Sequence, residues 1–327
     1  MNRLQELLRK FKGKRVVVLG DFVADVFVYG EISRISREAP VLILNHRDTQ
    51  VVPGGGANAV HNLRALGADP LPVGILGDDE EGKQLIRCFK KLGIDTSGIR
   101  VTKSYRTPTK MRIIAGAVHS PRQQIVRLDS GGPGKKPAKT SERAFLERKL
   151  KALLPKADAL LVSDYGYGII LPELVSGLNR SGIPSTVDSR FAMTAFSGMT
   201  AATPNEPEVE AALGITIGND MEKLEWAGRT LMRRLKHNAL LITRGKDGMS
   251  LFEKSAKTTH IPIHGTDEIA DVTGAGDTVI ATFTLALAAG GTYAEAARLA
   301  NYSGGIVVMK HGTRPVTYNE LMAAIGE

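Results

Sequence analysis

Cysteine, tryptophan and long apolar runs are scarce in this chain of 327 residues. Its one cysteine, Cys88, has no partner for an internal disulfide and cannot build a zinc site, which fits a reducing compartment. The longest apolar run, residues 279–290, would span roughly 18 Å as a helix, short of the roughly 30 Å of a bilayer core. The basic N-terminus has no apolar signal-peptide region. We therefore expect a cytoplasmic protein without a membrane span.

Aromatic residues are also sparse, at 5% of the chain, and no G-x-G-x-x-G turn follows the first predicted strand, Val16–Leu19. The missing glycine turn argues against a nicotinamide-dependent oxidoreductase. Lysine and arginine number 43 against 34 acidic residues, and the formal charge of +9 favours anionic partners. A nucleic-acid-binding protein is the alternative from a different class, but the cations are scattered and lack interleaved aromatics. We expect small anionic ligands and no nucleic acid.

Buried-type strand runs alternate with helical patterns along most of the chain. This alternation predicts an α/β fold in which helices cover a mainly parallel sheet. Two stretches, 22–52 and 101–129, contain strand-like pieces without an intervening helix. We predict that they form the antiparallel strands of a small lid that projects from the main sheet. The whole chain, 1–327, is then one domain with the lid inserted in it.

Several predicted strand-to-helix turns are polar and rich in glycine. In open parallel sheets, ligands bind beyond the carboxyl ends of the strands, where such turns lie. Each turn is a weak signal alone, but together they predict one ligand site at that edge. The turns are Gly20-Asp21, Pro53–Asn58, Ser163–Gly168, Thr243–Gly248 and Asp271–Asp277.

The sharpest of these signals is Asp271–Asp277, which leads directly into an apolar helix. Gly274 and Gly276 permit a tight turn, so the amides of residues 274–277 can point together at an anion that the helix dipole favours. Asp277 either caps this helix or accepts the proton of a hydroxyl that attacks a phosphoryl group. The residues alone leave both roles open.

The same turn resembles the C-terminal signature of ribokinase-like (PfkB-type) carbohydrate kinases. Gly54–Asn58 resembles the glycine motif of that family, Asn205–Glu208 its N-x-x-E motif and Thr243–Gly248 its T-x-G loop, in the family's order. The resemblance covers nearly the whole chain. It implies a ribokinase-like three-layer αβα sandwich that transfers a phosphoryl group from ATP with the help of Mg²⁺.

The resemblance also implies roles for single residues. Asp277 would be the catalytic base, with the amides of Gly274, Ala275 and Gly276 as the anion hole. Glu208 would reach Mg²⁺ through water, which suits a cation that keeps its hydration shell. Asp271 and Thr273, with the loop 310–313, resemble a monovalent-cation site, so K⁺ is a further expected ligand and activation by it stays open. The implied nucleotide-binding set is Asn205, Glu208, Thr243, Gly245, Gly248 and, beside the adenine, Asn301.

The N-terminal half resembles the sugar-binding part of the same family. Gly20-Asp21 with Asp25 matches a G-D-x-x-x-D pattern whose acids accept hydrogen bonds from sugar hydroxyls. A substrate without those hydroxyls would leave buried groups unpaired at a cost of about 1–3 kcal/mol each, which gives selectivity. Gly54, Gly55 and Asn58 would border the same sugar. A plain turn role for Asp21 is the alternative.

A narrower resemblance concerns the sugar itself. Residues 29–40 resemble the S-R-I-S-P-E-A-P lid of bacterial heptose-7-phosphate kinases, with Arg37 in place of the usual proline. The turn at Asp164 resembles a second motif of that group, with Tyr167 in place of a usual lysine. This implies transfer to O1 of D-glycero-D-manno-heptose 7-phosphate, for ADP-heptose and lipopolysaccharide core synthesis. A kinase of another sugar or sugar phosphate, such as ribose or fructose, is the alternative.

The H-x-G-H motif of the nucleotidyltransferase fused to some of these kinases is absent, so we expect another protein to perform adenylylation.

A sugar that already carries a phosphate needs cations at its far end. Lys110 and Arg112 lie on the same side of a predicted strand and could converge on one anion. For any of the lid arginines, an ion pair with an acid of a neighbouring strand is the alternative. The exposed strand edges of the lid also predict a homodimer. The candidate phosphate ligands are Arg34, Lys110, Arg112, Arg127 and Arg190.

Overall fold

A computed structural model describes residues 2–116, 122–131, 138–175, 182–265, 271–310 and 312–326. Its strands form a large main sheet and a smaller second sheet. The main sheet contains β1 (Arg15–Gly20), β4 (Asp69–Gly77), β5 (Ile99–Thr102), β8 (Ala159–Asp164), β9 (Ser185–Ser189), β10 (Ala201–Ala202), β11 (Ala239–Thr243), β12 (Met249–Glu253) and β13 (Thr259–Ile261). The second sheet contains β2 (Phe22–Ile35), β3 (Leu42–Gly55), β6 (Thr109–Gly116) and β7 (Gln123–Ser130).

The main sheet has the spatial order β13-β12-β11-β10-β9-β8-β1-β4-β5. All neighbouring pairs from β11 to β5 are parallel, and β12 and β13 extend the sheet by antiparallel pairing. The chain places β4 and β5 on one side of β1 and then returns to place β8 on the other side. This reversal leaves a crevice at the carboxyl ends of β1 and β8, which is where open α/β sheets bind ligands.

Helices cover both faces of the main sheet, as the alternating sequence pattern predicts. Val16 and Val18 of β1 belong to one hydrophobic core, while Val17 and Leu19 belong to a second core on the opposite face. Both cores exclude water because successive strand residues point to opposite faces and each face is packed with helices. The helices are α1 (Arg3–Arg9), α2 (Gly56–Ala65), α3 (Glu80–Lys91), α4 (Thr140–Leu153), α5 (Pro172–Val175), α6 (Glu206–Leu213), α7 (Met221–Leu235), α8 (Ala275–Ala288), α9 (Tyr293–Val308) and α10 (Tyr318–Gly326).

The second sheet is formed by the two predicted lid segments. Its order is β3-β2-β6-β7, and the outer pairs β2/β3 and β6/β7 are antiparallel hairpins. The central pair departs from the antiparallel expectation, since β2 and β6 run parallel with Asp25 opposite Lys110. Both strands leave the same edge of the main sheet, because β2 follows β1 directly and β6 follows β5. The return strand β3 then delivers Gly54 and Gly55 to the crevice.

The apolar spacing of the first residues correctly predicts α1, whose side chains Leu4, Leu7 and Leu8 are buried on the body of the protein. The most apolar helix, α8, is surrounded by protein along its length, so its hydrophobicity belongs to the core. No helix in the described ranges is long and apolar enough to cross a bilayer.

Candidate active site

The five glycine-rich turns converge at the crevice. Five of the six residues expected to bind nucleotide line one cavity of about 570 Å³, together with Ala275 and Gly276. They come from separate elements, because Asn205 follows β10, Thr243 ends β11 and Asn301 lies on α9. The five residues are Asn205, Thr243, Gly245, Gly248 and Asn301.

Asp277 lies in the first turn of α8 and is only 2% exposed. Its two carboxylate oxygens accept hydrogen bonds from different elements. The Asn58 amide on α2 donates to Oδ2 at 3.1 Å, and the Tyr165 hydroxyl after β8 donates to Oδ1 at 2.9 Å. The side chain therefore reaches across the helix start toward Asn58 of the sugar motif, and it does not cap its own helix. The sequence motifs did not single out Tyr165.

Burial raises the pKa of Asp277 to about 7, and hydrogen bonds from Asn58 and Tyr165 and the charge of Lys110 work against that rise. A carboxylate that gains a proton near neutral pH is well suited to accept one from a hydroxyl. The Lys110 ammonium lies on β6 of the second sheet, 4.6 Å from the centre of the Tyr165 ring. Lys110 thus contributes to the site through its contact with this ring.

The turn before α8 has the shape that its glycines predict. Gly274 has φ +78°, and a Cβ there would lie 2.5 Å from the Asn58 amide nitrogen, so only glycine fits. The Ala275 amide donates to the Val272 carbonyl at 3.2 Å and is partly engaged. The Gly276 and Asp277 amides donate to no backbone carbonyl in the described part of the chain. The helix start therefore keeps donors for an anion, with Ala275 contributing less than the sequence suggested.

Asp25 occupies a second buried position beside the glycine motif. Its Oδ1 accepts from the Arg112 guanidinium at 2.7 Å and its Oδ2 from the Thr313 hydroxyl at 3.0 Å. A Cβ at Gly54 would lie 2.4 Å from Oδ2, which explains the glycine at that position. Asp25 and Asp277 are close enough for the charge of Asp25 to act on the pKa of Asp277.

Two of the five candidate phosphate ligands form ion pairs with acids of the second sheet. Arg112 is buried in its pair with Asp25, so it is not a free cation, and Arg127 pairs with Asp129 at 2.9 Å. For Arg112 the ion-pair alternative holds, because Asp25 lies on the neighbouring strand β2, whereas the acid that pairs with Arg127 lies two residues along its own strand β7. Arg34 is exposed near the far end of β2. Arg190 follows β9, and its charge acts on the carboxylates beside the cavity.

Asp21 and Asp164 shape the loop after β8. Asp21 Oδ2 accepts from the amides of Tyr165 and Tyr167 at 2.9 and 3.1 Å, and Asp164 accepts from Gly166 and Ser189. Burial and the charge of Asp164 raise the pKa of Asp21 to about 7. These bonds show that Asp21 organises the loop after β8, and its contact with a sugar hydroxyl stays a prediction. Its Oδ1 has no partner among the described residues.

Asp188, near the end of β9, is an acid of the site that belongs to none of the sequence motifs. Burial and then the negative charge of Glu208 raise its pKa well above the ordinary value, and burial also raises the pKa of Glu208. Glu208 forms a capping box with Asn205, with bonds of 2.8 and 2.9 Å in the two directions. The position of Asp188 at the carboxyl end of a predicted strand is the sequence feature that could have identified it.

Two acids whose charges raise the pKa of one of them fit a divalent ion that is held through few protein ligands. No group of three or more His, Cys, Asp or Glu side chains in the described ranges forms a metal site of its own. Mg²⁺ commonly binds to one or two carboxylates and completes its shell with water and phosphates. Asp188 and Glu208 satisfy that requirement.

Asp271 organises the proposed monovalent-cation loop. Its two oxygens accept from the amides of Thr273 at 2.8 Å and Gly312 at 3.0 Å. Burial opposes its charge, but the hydrogen bonds from Thr273 and Gly312 outweigh burial and lower its pKa. Asp271 is therefore ionised beside the loop, of which residue 311 lies outside the described residues.

Comparisons with known proteins agree with this geometry. The family described as pfkB family carbohydrate kinase matches residues 14–171 and 181–319. The bifunctional protein HldE of Paramagnetospirillum magneticum is 37% identical over 330 residues, which cover 99% of this chain and 66% of that protein. The chain thus spans just under two thirds of that relative's length.

Solved structures show the same fold at low identity. Arabidopsis thaliana ribokinase, complexed with ribose and ATP, matches with a TM-score of 0.73 at 19% identity, covering 96% of this chain and 99% of that one. Phosphofructokinase-2 of Escherichia coli, in complex with potassium, matches with a TM-score of 0.75 at 16% identity, covering 96% and 98%. The expected ribokinase-like architecture is confirmed.

Proposed function

The chain belongs to the pfkB family of carbohydrate kinases, and on that premise we propose that this sugar kinase transfers the γ-phosphoryl group of ATP to O1 of D-glycero-D-manno-heptose 7-phosphate. The observation that supports this phosphoryl transfer is the position of Asp277. It lies at a helix start between the cavity lined by the nucleotide motifs and the polar group formed by Asn58, Asp25 and the half-buried Lys110.

In this mechanism the sugar hydroxyl donates its proton to Asp277 as its oxygen attacks the γ-phosphorus. The bond from that phosphorus to the β–γ bridging oxygen breaks, and ADP leaves. The free amides at Gly276 and Asp277 face the transferring group, where the helix dipole favours the developing negative charge. Asp25, in its ion pair with Arg112, accepts hydrogen bonds from the sugar.

We assign Mg²⁺ to Asp188 and Glu208, and K⁺ to the loop of Asp271 and Thr273. When bound, Mg²⁺ neutralises charge on the β- and γ-phosphates. The chain's own part is to hold two half-buried carboxylates near the nucleotide cavity, with Arg190 moderating their repulsion. Asn301 borders the adenine from α9.

The heptose assignment draws on the resemblance of residues 29–40 and 163–168 and on the likeness to HldE proteins along the chain. With Arg112 and Arg127 engaged by acids, Lys110, Arg190 and Arg34 are the cations proposed for the distal phosphate. A ribokinase-like kinase of another sugar or sugar phosphate is the second candidate, because Arg37 and Tyr167 depart from the heptose-kinase pattern.

A substrate panel tests this assignment. ATP consumption is measured with heptose 7-phosphate, fructose 6-phosphate, fructose and ribose, each with Mg²⁺ and with either K⁺ or Na⁺. We expect turnover on heptose 7-phosphate to exceed the others, with phosphorus NMR locating the new phosphate on O1. Robust turnover of ribose or fructose with none on heptose 7-phosphate would overturn the narrow assignment and retain the kinase.

We also propose that the protein forms a homodimer through its second sheet. Six large apolar side chains on or beside this sheet are at least 41% exposed, and β3 and β7 are its open edges. Such a surface on a soluble domain is typical of an interface. The six residues are Ile35, Val41, Leu42, Ile125, Val126 and Leu128.

A further inference from the structure

Tyr165 is a partner of Asp277 to which the mechanism above gives no role. Its hydroxyl donates to Oδ1 at 2.9 Å while Asn58 donates to Oδ2 at 3.1 Å. A carboxylate oxygen accepts more than one hydrogen bond, so both bonds can persist while a substrate hydroxyl approaches. The two donors fix the plane of the carboxylate from opposite ends.

The Tyr165 ring is itself held by three parts of the protein. Its main-chain amide donates to Asp21 at 2.9 Å. A Cβ at Gly55 would lie 3.2 Å from ring atom Cε2, so the glycine motif leaves room for the ring. The Lys110 ammonium lies over the ring, 4.6 Å from its centre. The phenol is therefore aimed at Asp277 by the main sheet, the glycine motif and the second sheet together.

Tyr165 remains a hydrogen-bond donor at every working pH. Burial and then the negative charge of Asp277 raise the pKa of the phenol well above 10. Other charged groups also act on Asp277 or on the tyrosine from neighbouring elements, but none of them replaces the hydroxyl at Oδ1. Asp25 on β2, Lys110 on β6 and Asp188 on β9 act directly on one or both of these residues. The groups that act in turn on Lys110 or Asp188 are Arg112 on β6, Asp164 on β8, Arg190 after β9 and Glu208 on α6.

We propose that Tyr165 is a positioning residue, whose hydroxyl holds the Asp277 carboxylate in the orientation that receives the sugar proton. Lys110 links this arrangement to the second sheet, because it covers the ring that carries the hydroxyl. The inference rests on the proposed function, since the orientation matters only if Asp277 is the base. It concerns the rate of the chemical step and not the binding of ATP.

Tyr165→Phe removes one oxygen atom and keeps the ring against Gly55 and Lys110. We expect kcat to fall about 10- to 100-fold, the range for a lost hydrogen bond to a charged group. The KM for ATP should be unchanged. The acid limb of the kcat profile should move to higher pH, because the lost donor favoured the ionised form of Asp277.

Two further variants distinguish a failure of the positioning role from a failure of the proposed function. Tyr293→Phe removes the same atom from a tyrosine at the start of α9, whose hydroxyl bonds with Asn238, and it should leave kcat, KM and the acid limb unchanged. Asp277→Asn, assayed in parallel, should be nearly inactive. If Tyr165→Phe has the wild-type kcat and acid limb while Asp277→Asn is inactive, the positioning role is wrong and the proposed function stands. Wild-type turnover by Asp277→Asn would instead remove the proposed base and the inference with it.

A rescue experiment guards against a folding defect in Tyr165→Phe. Incorporating 4-aminophenylalanine at position 165 returns a donor at the same place, and 4-methoxyphenylalanine returns an oxygen without a proton to donate. We expect the amino group to restore at least half of the lost kcat and the methoxy group to restore none. Equal rates for the two analogues, with equal thermal midpoints, would contradict the positioning role.

Discussion

Asp277 illustrates how one residue can be costly for the fold and useful for the chemistry. Its carboxylate is buried, and two donors and Lys110 only partly compensate the burial that raises its pKa to about 7. Perturbed groups of this kind cluster at functional sites. The same cost makes a prediction about stability, which is separate from any measurement of activity.

Asp277→Asn should stabilise the fold at pH 8 and lose that advantage as the pH falls. The folded pKa of about 7 lies above the unfolded value of 3.8, so wild type bears a penalty above pH 7 that disappears as the carboxylate is protonated on the way to pH 4. The new amide still fits, since it can accept from Asn58 and donate to the Tyr165 oxygen. Thermal midpoints at pH 8 and pH 5 measure the effect, and an equal difference at both would contradict the assigned titration.

Arg112 and Arg127 offer a matched pair of ion-pair deletions. Arg112→Met leaves Asp25 buried without its cation and should destabilise the protein by about 3–5 kcal/mol. Arg127→Met removes an exposed partner of Asp129 and should cost about 0–1 kcal/mol. Urea denaturation measures both. Full stability of Arg112→Met, combined with loss of sugar-phosphate binding, would instead make Arg112 a direct phosphate ligand.

At the scale of elements, the start of α8 depends on a glycine that no other residue replaces. Gly274→Ala should lower kcat by at least tenfold, because the new Cβ would meet the Asn58 amide that donates to Asp277. Gly290, with φ +87° and open space around its Cβ position, is the matched control. Both substitutions carry the left-handed backbone cost of about 1–2 kcal/mol, so stability alone does not distinguish them. Equal kcat values in the two variants would show that the turn is not part of the site.

The elements also show what the sequence predicts well. The predicted strands and helices followed from periodicity, because the helices bury one face and the main-sheet strands bury both. The pairing of β2 with β6 did not follow from periodicity, since a parallel contact between Asp25 and Lys110, 85 residues apart, leaves no local pattern. Asp188 was missed for a related reason: its partner Glu208 arrives from another strand-to-helix turn. The ion pair of Arg112 with Asp25 likewise depends on the register between β6 and β2, which sequence alone does not give.

At the scale of the whole molecule, the second sheet is both the predicted lid and the proposed interface. Val126 and Leu128 lie on the same face of the edge strand β7 and are 42% and 53% exposed. Changing both to Asp should convert the homodimer to a monomer near 35.1 kDa in light scattering after size exclusion. Trp226→Asp, at an exposed apolar residue on α7 away from this sheet, is the control and should leave the dimer intact. A wild-type monomer at micromolar concentration would contradict the interface.

The central claim is that one carboxylate, aimed from the start of α8, receives the proton of the acceptor sugar during phosphoryl transfer. Rapid-quench measurement of a single turnover with radiolabelled ATP and heptose 7-phosphate tests it most directly, comparing wild type with Asp277→Asn. We predict a transfer rate lower by about two to four orders of magnitude, with the Kd for ATP unchanged. A variant that transfers the phosphoryl group at the wild-type rate would contradict the account.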